Sequence, residues 1–152
     1  FAYAYDMDGD GKKDIWTNEA DVFGSIGNYL KRHTWHENQT WGREIKLPSD
    51  MAARQALVDL THEPNPPRSC KRALSAHSKK YSLTQWKEMG VRNLDDSDIP
   101  EAIGAGIEAT LLLPGGIDGP AYLTYQNFRT ILRYNCSNHY ALGVSLLSDQ
   151  LK

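Results

Sequence analysis

The sequence predicts a mainly helical α+β domain with a small antiparallel β insertion, and three observations carry that prediction. Apolar residues recur at helical spacing near both ends of the chain. Two short apolar runs, residues 107–113 and 121–125, flank a Pro-Gly-Gly turn in the middle. No internal repeat or low-complexity tract points to a stacked architecture instead. The 152 residues suit a single domain over 1–152, large enough to bury its own core. Within it we expect a metal loop and helix over 1–35, a β-containing insertion over 41–125 and closing helices over 126–152.

The chain opens on an acidic loop. Asp6, Asp8 and Asp10 alternate and Gly11 follows at once, which is the first half of a calcium loop: oxygens at positions 1, 3 and 5, then a glycine for the sharp turn. A hard dication needs six to eight oxygens, and alternating carboxylates on a tight loop converge on one point that would be repulsive without it. The Lys12 carbonyl supplies position 7, and Asp14 stands at position 9, where a ligand often acts through water. Thr17 occupies the place of the usual bidentate Glu, so closure falls to Asp21 or Glu19 in the next helix. A solvated acidic turn accounts for neither the spacing nor Gly11. Phe1 is not an initiator residue, and the chain reads as a piece of something longer.

Residues 19–33 read as the first helix, with Val22, Ile26, Tyr29 and Leu30 on one face and Asn28, Lys31 and Arg32 away from it. Residues 43–47 alternate as a strand closed by Pro48, and Ser49 is the expected N-cap of a short helix through Ala52, Ala56 and Leu57. Residues 61–80 are proline-rich and basic without periodicity, and read as an exposed, solvated excursion. Ser82 starts a helix carrying Leu83, Trp86 and Met89, with Gly90 at its C-terminal cap. Asp95, Asp96 and Asp98 form an acidic turn flanking a helix. Residues 127–134 place Phe128, Ile131 and Leu132 inward. A last helix from Ser137 puts Tyr140, Val144, Leu147 and Leu151 on one stripe.

Composition narrows the function classes. A formal net charge of −2 and a pI near 6.2 give no support for a nucleic-acid or anionic-membrane surface. No apolar run approaches the roughly 20 residues of a membrane span. Cys70 and Cys136 are the only cysteines and fit no zinc pattern. They read as two unrelated thiols, or as a disulfide if the protein is exported.

Three segments together resemble the membrane-bound lytic murein transglycosylase B-type enzymes. They are Ala4-Tyr5-Asp6-Met7-Asp8-Gly9-Asp10-Gly11 with Ile15-Trp16; Gly24-Ser25-Ile26-Gly27-Asn28-Tyr29-Leu30-Lys31; and Asn127-Phe128-Arg129, Ile131-Leu132-Arg133-Tyr134-Asn135, Ser137 and His139-Tyr140-Ala141. The resemblance covers nearly the whole chain but only the C-terminal part of that family's catalytic region. It implies a lysozyme-like core, a small β insertion and an EF-hand-like loop in which Asp6, Asp8, Asp10, the Lys12 carbonyl and Asp21 bind a structural Ca2+. It also implies a sugar cleft to which this chain contributes Tyr29, Tyr134, Asn135 and Tyr140. Aromatic faces stack on sugar rings while phenols and amides bond hydroxyls and N-acetyl groups; for Tyr140, which shares a stripe with Val144 and Leu147, core packing is the competing role.

The implied activity is cleavage of the MurNAc-GlcNAc β-1,4 bond of peptidoglycan in the bacterial periplasm, with outer-membrane anchoring through a missing N-terminal region. One protonated Glu donates to the glycosidic oxygen, the substrate's N-acetyl group stabilises the oxocarbenium-like state, and the C6 hydroxyl closes a 1,6-anhydro ring. In the family that Glu, with a Gly-Gln-Phe-Met-Pro-type segment, lies upstream of the calcium loop. No glutamate here stands in a matching context, so no catalytic residue is assigned; Glu37, Glu44, Glu63, Glu88, Glu101 and Glu108 read as surface or helix-end carboxylates. The expected partners are glycan strands and the missing N-terminal segment, not nucleic acid, with the protein a monomer. Thr34 departs from the family, standing where glycine is common, and so does the 61–80 stretch. The alternative is a non-catalytic, calcium-stabilised glycan-binding module.

Overall fold

A computed structural model of the chain describes residues 2–100 and 106–151. Where length led us to expect one domain, the chain forms two compact units, Phe1–Glu37 and Asn38–Lys152.

The first unit is the acidic loop and helix α1 (Glu19–Arg32). Asn18 caps the helix, its Oδ1 accepting the Ala20 and Asp21 amides at 3.0 and 3.4 Å. Acidic residues in the first turn and Lys31 and Arg32 in the last suit the helix dipole. Val22, Tyr29 and Leu30 are half-buried as expected, but Ile26 is exposed. Asn28, expected on the outer face, instead faces the segment before the helix, donating to the Tyr3 carbonyl at 2.9 Å. After the helix Thr34 adopts φ +65°, the left-handed region that disfavours a β-branched residue. The departure from glycine is therefore felt in the backbone.

The second unit is built on a four-stranded antiparallel sheet. Its spatial order is β1 (Gly42–Ile45), β4 (Ala121–Thr124), β3 (Glu108–Leu112) and β2 (Tyr81–Ser82). The expected hairpin is present, with Leu111 opposite Leu123. Gly42 lets β1 pair closely: a Cβ there would lie 2.4 Å from the Leu123 carbonyl oxygen. Past Ile45 the strand dwindles to a single bridge between Lys46 and Arg92.

The β3–β4 hairpin is buried on both faces, with apolar residues on each and Thr110 and Thr124 as buried polar residues on one. Ala109, Leu111, Ala121 and Leu123 join Ile45, Leu57 of α2 (Met51–Asp59) and Leu83 and Trp86 of α4 (Leu83–Glu88) in the main core. Each fully buried leucine or isoleucine among them contributes about 1.5–3 kcal/mol, and each alanine less. The Trp86 indole N–H donates to the Ala109 carbonyl at 3.1 Å, so its polar atom is satisfied. On the opposite face, Thr110 and Thr124 hydrogen-bond to each other beside His77. Phe128 of α5 (Gln126–Tyr134) packs on the His77 ring, with centroids 5.8 Å apart.

Several local expectations are corrected. Asp50, not Ser49, caps α2, accepting the Ala53 amide at 2.8 Å. Ser82 does start α4, through a capping box with Gln85. The 61–80 stretch is not wholly an exposed excursion. It contains α3 (Lys71–Leu74) and buries Ala73, Leu74, His77 and Ser78. Ser78 exchanges two hydrogen bonds with Leu111, its amide to the carbonyl and its Oγ from the amide. Too few apolar residues mark that segment for periodicity to find it.

The stripe expected to bury α6 (Asn138–Gln150) is on the outside. Tyr140, Val144, Leu147 and Leu151 are exposed, and the helix packs through Ala141, Leu142 and Ser145. Apolar residues occur on both sides of α6, so spacing alone did not choose between them. The acidic turn pairs with bases: Asp96 with Lys46 at 2.7 Å, and Asp98 with Lys87 at 2.9 Å and Arg92 at 3.3 Å. Glu101 lies outside the described residues.

Candidate carbohydrate and metal sites

The acidic loop brings together Asp6, Asp8 and Asp21, each offering an oxygen within 4.8 Å of the others. Asp21 is fully buried, held by the Met7 and Asp14 amides at 2.8 and 2.7 Å. Asp6 accepts the Gly9 and Gly11 amides at 2.7 and 2.9 Å, and Gly11 sits at φ +85°, as the turn demands. Of the two residues expected to close the loop, Asp21 joins this cluster. Glu19 is exposed.

Asp10 is not one of the three gathered carboxylates; its Oδ1 accepts the Lys12 amide at 2.8 Å. That bond engages the Lys12 amide, not the carbonyl expected as a ligand, and one of the two Asp10 carboxylate oxygens. Asp14, the expected water-mediated ligand, is taken up by the Trp16 and Thr17 amides and the Thr17 hydroxyl. Asn18 was missed: its Nδ2 donates to Asp8 Oδ2 at 2.6 Å while its Oδ1 caps α1. The Asn18 bond, first among several, lowers the Asp8 pKa. An Asn placed just before an acidic helix start was a readable signal. The donor set suits a hard cation: three clustered carboxylates, one in a dry setting, and no described ion pair involving any of them.

The second candidate site is the corner between α5 and α6. Asn135 ends α5 in extended conformation, and Ser137 caps α6, its Oγ accepting the Tyr140 amide at 3.3 Å. Between them Cys136 forms a disulfide with Cys70, their Cα atoms 4.9 Å apart. Asn138 Nδ2 donates to the Ala73 carbonyl at 2.9 Å, tying down the first turn of α6. The corner is thus held by a cap, a crosslink and a half-buried anchor. It stacks Tyr134 and Tyr140, with ring centroids 6.2 Å apart and planes 26° from parallel. Tyr134 is 65% and Tyr140 39% exposed, which removes core packing as the role of Tyr140. Asn135 is exposed beside them. Tyr29 belongs to the first unit, where it is half-buried, edge-on to Tyr3 at 5.0 Å and 4.3 Å from the His33 ring.

Sequence reasoning also passed over His77, which is 1% exposed. Its Nδ1 lies 3.0 Å from Thr110 Oγ1 and its Nε2 3.0 Å from Asn138 Oδ1. Because Asn138 Nδ2 is committed to Ala73, its Oδ1 faces the imidazole, so Nε2 carries the proton and Nδ1 accepts from Thr110. Burial pushes the His77 pKa down to about 4; the nearby Arg129 charge acts in the same sense, and the Asn138 bond against it.

With this geometry in place, comparison with known proteins is decisive about kinship. The family described as Transglycosylase SLT domain matches residues 1–149. Membrane-bound lytic murein transglycosylase B of Escherichia coli is 32% identical over 143 residues, covering 93% of this chain and 32% of that protein. SltB3 from Pseudomonas aeruginosa, solved with NAG-NAM-pentapeptide, is 39% identical with a TM-score of 0.79, over 98% of this chain and 34% of that one. The Escherichia coli lytic transglycosylase Slt35, solved in complex with calcium, is 28% identical with a TM-score of 0.62, over 97% and 39% of the two chains. This chain therefore spans about a third of the length of these relatives. Helices with a small antiparallel sheet, in the lysozyme-like SLT fold, and a family match over almost its whole length place this chain in the transglycosylase SLT domain family.

Proposed function

We propose that this chain is the calcium-bearing, glycan-binding part of a peptidoglycan lytic transglycosylase. The observation that carries the reading is the stacked, exposed Tyr134–Tyr140 pair on a braced corner, next to Asn135. Exposed aromatic faces held rigid suit the apolar faces of sugar rings, and the Asn135 amide suits an N-acetyl group. Tyr29, in the first unit, is proposed as a further sugar contact.

The reaction proposed for the whole protein is cleavage between MurNAc and GlcNAc to leave 1,6-anhydro-MurNAc ends. A general acid at neutral pH needs a carboxyl kept protonated by its surroundings. Glu19, Glu37, Glu44, Glu88 and Glu108 are exposed, and Glu63 is half-buried and accepts the Asn65 amide. None offers the sheltered setting that such an acid needs, so the acid is assigned to a part of the protein outside these residues. The disulfide agrees with an oxidising compartment such as the periplasm. No described helix is long and apolar enough to cross a membrane.

The loop is proposed as an EF-hand-like calcium site on Asp6, Asp8 and Asp21, with Asp10 and the Lys12 carbonyl as further ligands. When bound, the ion neutralises the clustered carboxylates and ties the loop to α1. Lacking a Glu at position 12, the site should bind weakly, on the order of 10⁻⁴ to 10⁻³ M. Calcium should then raise the melting temperature, and an unchanged melt between excess chelator and millimolar calcium would refute the site.

Digestion of purified sacculi, with chromatography for 1,6-anhydro sugars, tests the reaction. The 152-residue chain should bind sacculi without releasing product, and Tyr134→Ala should weaken binding several-fold. Product from the chain alone would show a catalytic carboxylate among these residues. Failure to bind, or binding indifferent to Tyr134→Ala, would remove the glycan wall.

A further inference from the structure

We propose that a cationic recess on α5 receives a carboxylate of the peptide carried by a peptidoglycan strand. The inference rests on the glycan reading above and adds a second point of recognition to it.

The recess has a volume of about 150 Å³, room for roughly five waters and so for an oxyanion with part of its hydration. Leu132 and Leu74 contribute apolar surface to its lining. Gln126, Arg129 and Arg133 approach it from one face of α5, spaced three and four residues apart. Ser69 and Lys80 line it from the segment crosslinked through Cys70. Among the described residues, three cationic side chains and no acidic one line it.

The cations are under-used. Arg129 is half-buried, and the guanidinia of Arg129 and Arg133 make no hydrogen bond or ion pair with any described residue. Burial pushes the Arg129 pKa down, opposed in part by the charges of Glu63 and Glu108. Lys80 reaches only the exposed Glu108, at 3.8 Å, a contact of little strength. A guanidinium presents a planar fork of donors that suits the two oxygens of a carboxylate. Half-burying one without an acceptor is costly, and a ligand carboxylate would relieve that cost.

Position selects the source of the anion. Arg133 immediately precedes Tyr134, so the recess and the tyrosine pair share the last turns of α5. The disulfide joins the recess wall at Cys70 to the tyrosine corner at Cys136. A glycan lying on Tyr134 and Tyr140 would carry its peptide alongside this recess. A pentapeptide ends in at least one carboxylate, and SltB3 was solved with a ligand that joins sugar and pentapeptide.

Calorimetry on the purified protein tests this with four probes: GlcNAc-MurNAc-pentapeptide, the same disaccharide without peptide, the peptide-bearing form with its carboxyls amidated, and inorganic phosphate. The peptide should tighten disaccharide binding by roughly fivefold, and the gain should fall as salt rises. Amidation should abolish the gain, as should Arg129→Gln and, separately, Arg133→Gln. Arg133 is exposed, so its variant keeps the test valid should Arg129→Gln disturb the fold. Equal binding with and without peptide, undiminished binding after amidation, or an arginine-independent gain would overturn the proposal. Phosphate binding with no peptide effect would also overturn it, leaving a site for small free anions. If the bare disaccharide fails to bind but peptide-dependent binding persists and is lost in Arg133→Gln, the recess stands and the tyrosine wall falls.

Discussion

Acid should destabilise this protein through His77 before most of its carboxylates are protonated. The imidazole is 1% exposed and linked on both nitrogens, through Thr110 to β3 and through Asn138 to α6. Its pKa is lowered from 6.5 to about 4. A histidine whose folded pKa is depressed leaves stability intact above the unfolded value. As pH falls below 6.5 the unfolded chain takes up a proton that the folded protein refuses, so stability is lost until the folded group protonates near pH 4. At 1.36 kcal/mol per pH unit, the window holds about 3 kcal/mol in all, most of it gone by about pH 4.5. Protonation would also turn Nδ1 into a donor facing Thr110 Oγ1, forcing the Thr110–Thr124 pair to reorient. The assay is urea denaturation across pH for the native protein and His77→Gln, with the imidazole titration followed by NMR. The native protein should lose about 2–3 kcal/mol more than the variant between roughly pH 7 and 4.5. Parallel pH profiles, or an imidazole titrating near 6.5 in the folded state, would refute the reasoning.

Two further predictions rest on the backbone. The Cys70–Cys136 disulfide spans a separation of 66 residues. Loop-closure entropy sets the loss on replacing both cysteines with serine at about 4 kcal/mol, measurable as a fall in denaturation midpoint, and a loss below about 1 kcal/mol would show that the corner is held without the crosslink. Thr34→Gly should stabilise the first unit, because Thr34 sits at φ +65°; relief of the left-handed backbone exceeds the added chain entropy by about 0.5–1 kcal/mol. Equilibrium unfolding checks it, and a destabilised glycine variant would show that the Thr34 hydroxyl bond to the His33 carbonyl outweighs the strain.

What was legible in the sequence was chemistry confined to a few neighbouring residues. Asp6, Asp8 and Gly11 follow a local geometric rule, and Ser82 and Ser137 cap helices through bonds to amides three residues on. The hairpin's apolar runs and its Pro-Gly-Gly turn needed no distant partner to be read. The transglycosylase resemblance likewise came from short segments in a set order, and the family match over residues 1–149 agrees with it.

Tertiary structure decided whatever depends on residues far apart in the chain. It chose Asp21 over Glu19 because only Asp21 turns inward, between the amides of Met7 and Asp14. It set Asn18 between Asp8 and the start of α1, a pairing that the acidic spacing alone does not show. It selected the small-residue side of α6 for burial, leaving Tyr140 free to stack on Tyr134. It joined Cys70 to Cys136 and drew His77 beneath Phe128, although neither residue carries a periodic signal. The reason is physical: a sequence displays each side chain's capacity to bond or to leave water, whereas burial is settled by which distant surfaces meet.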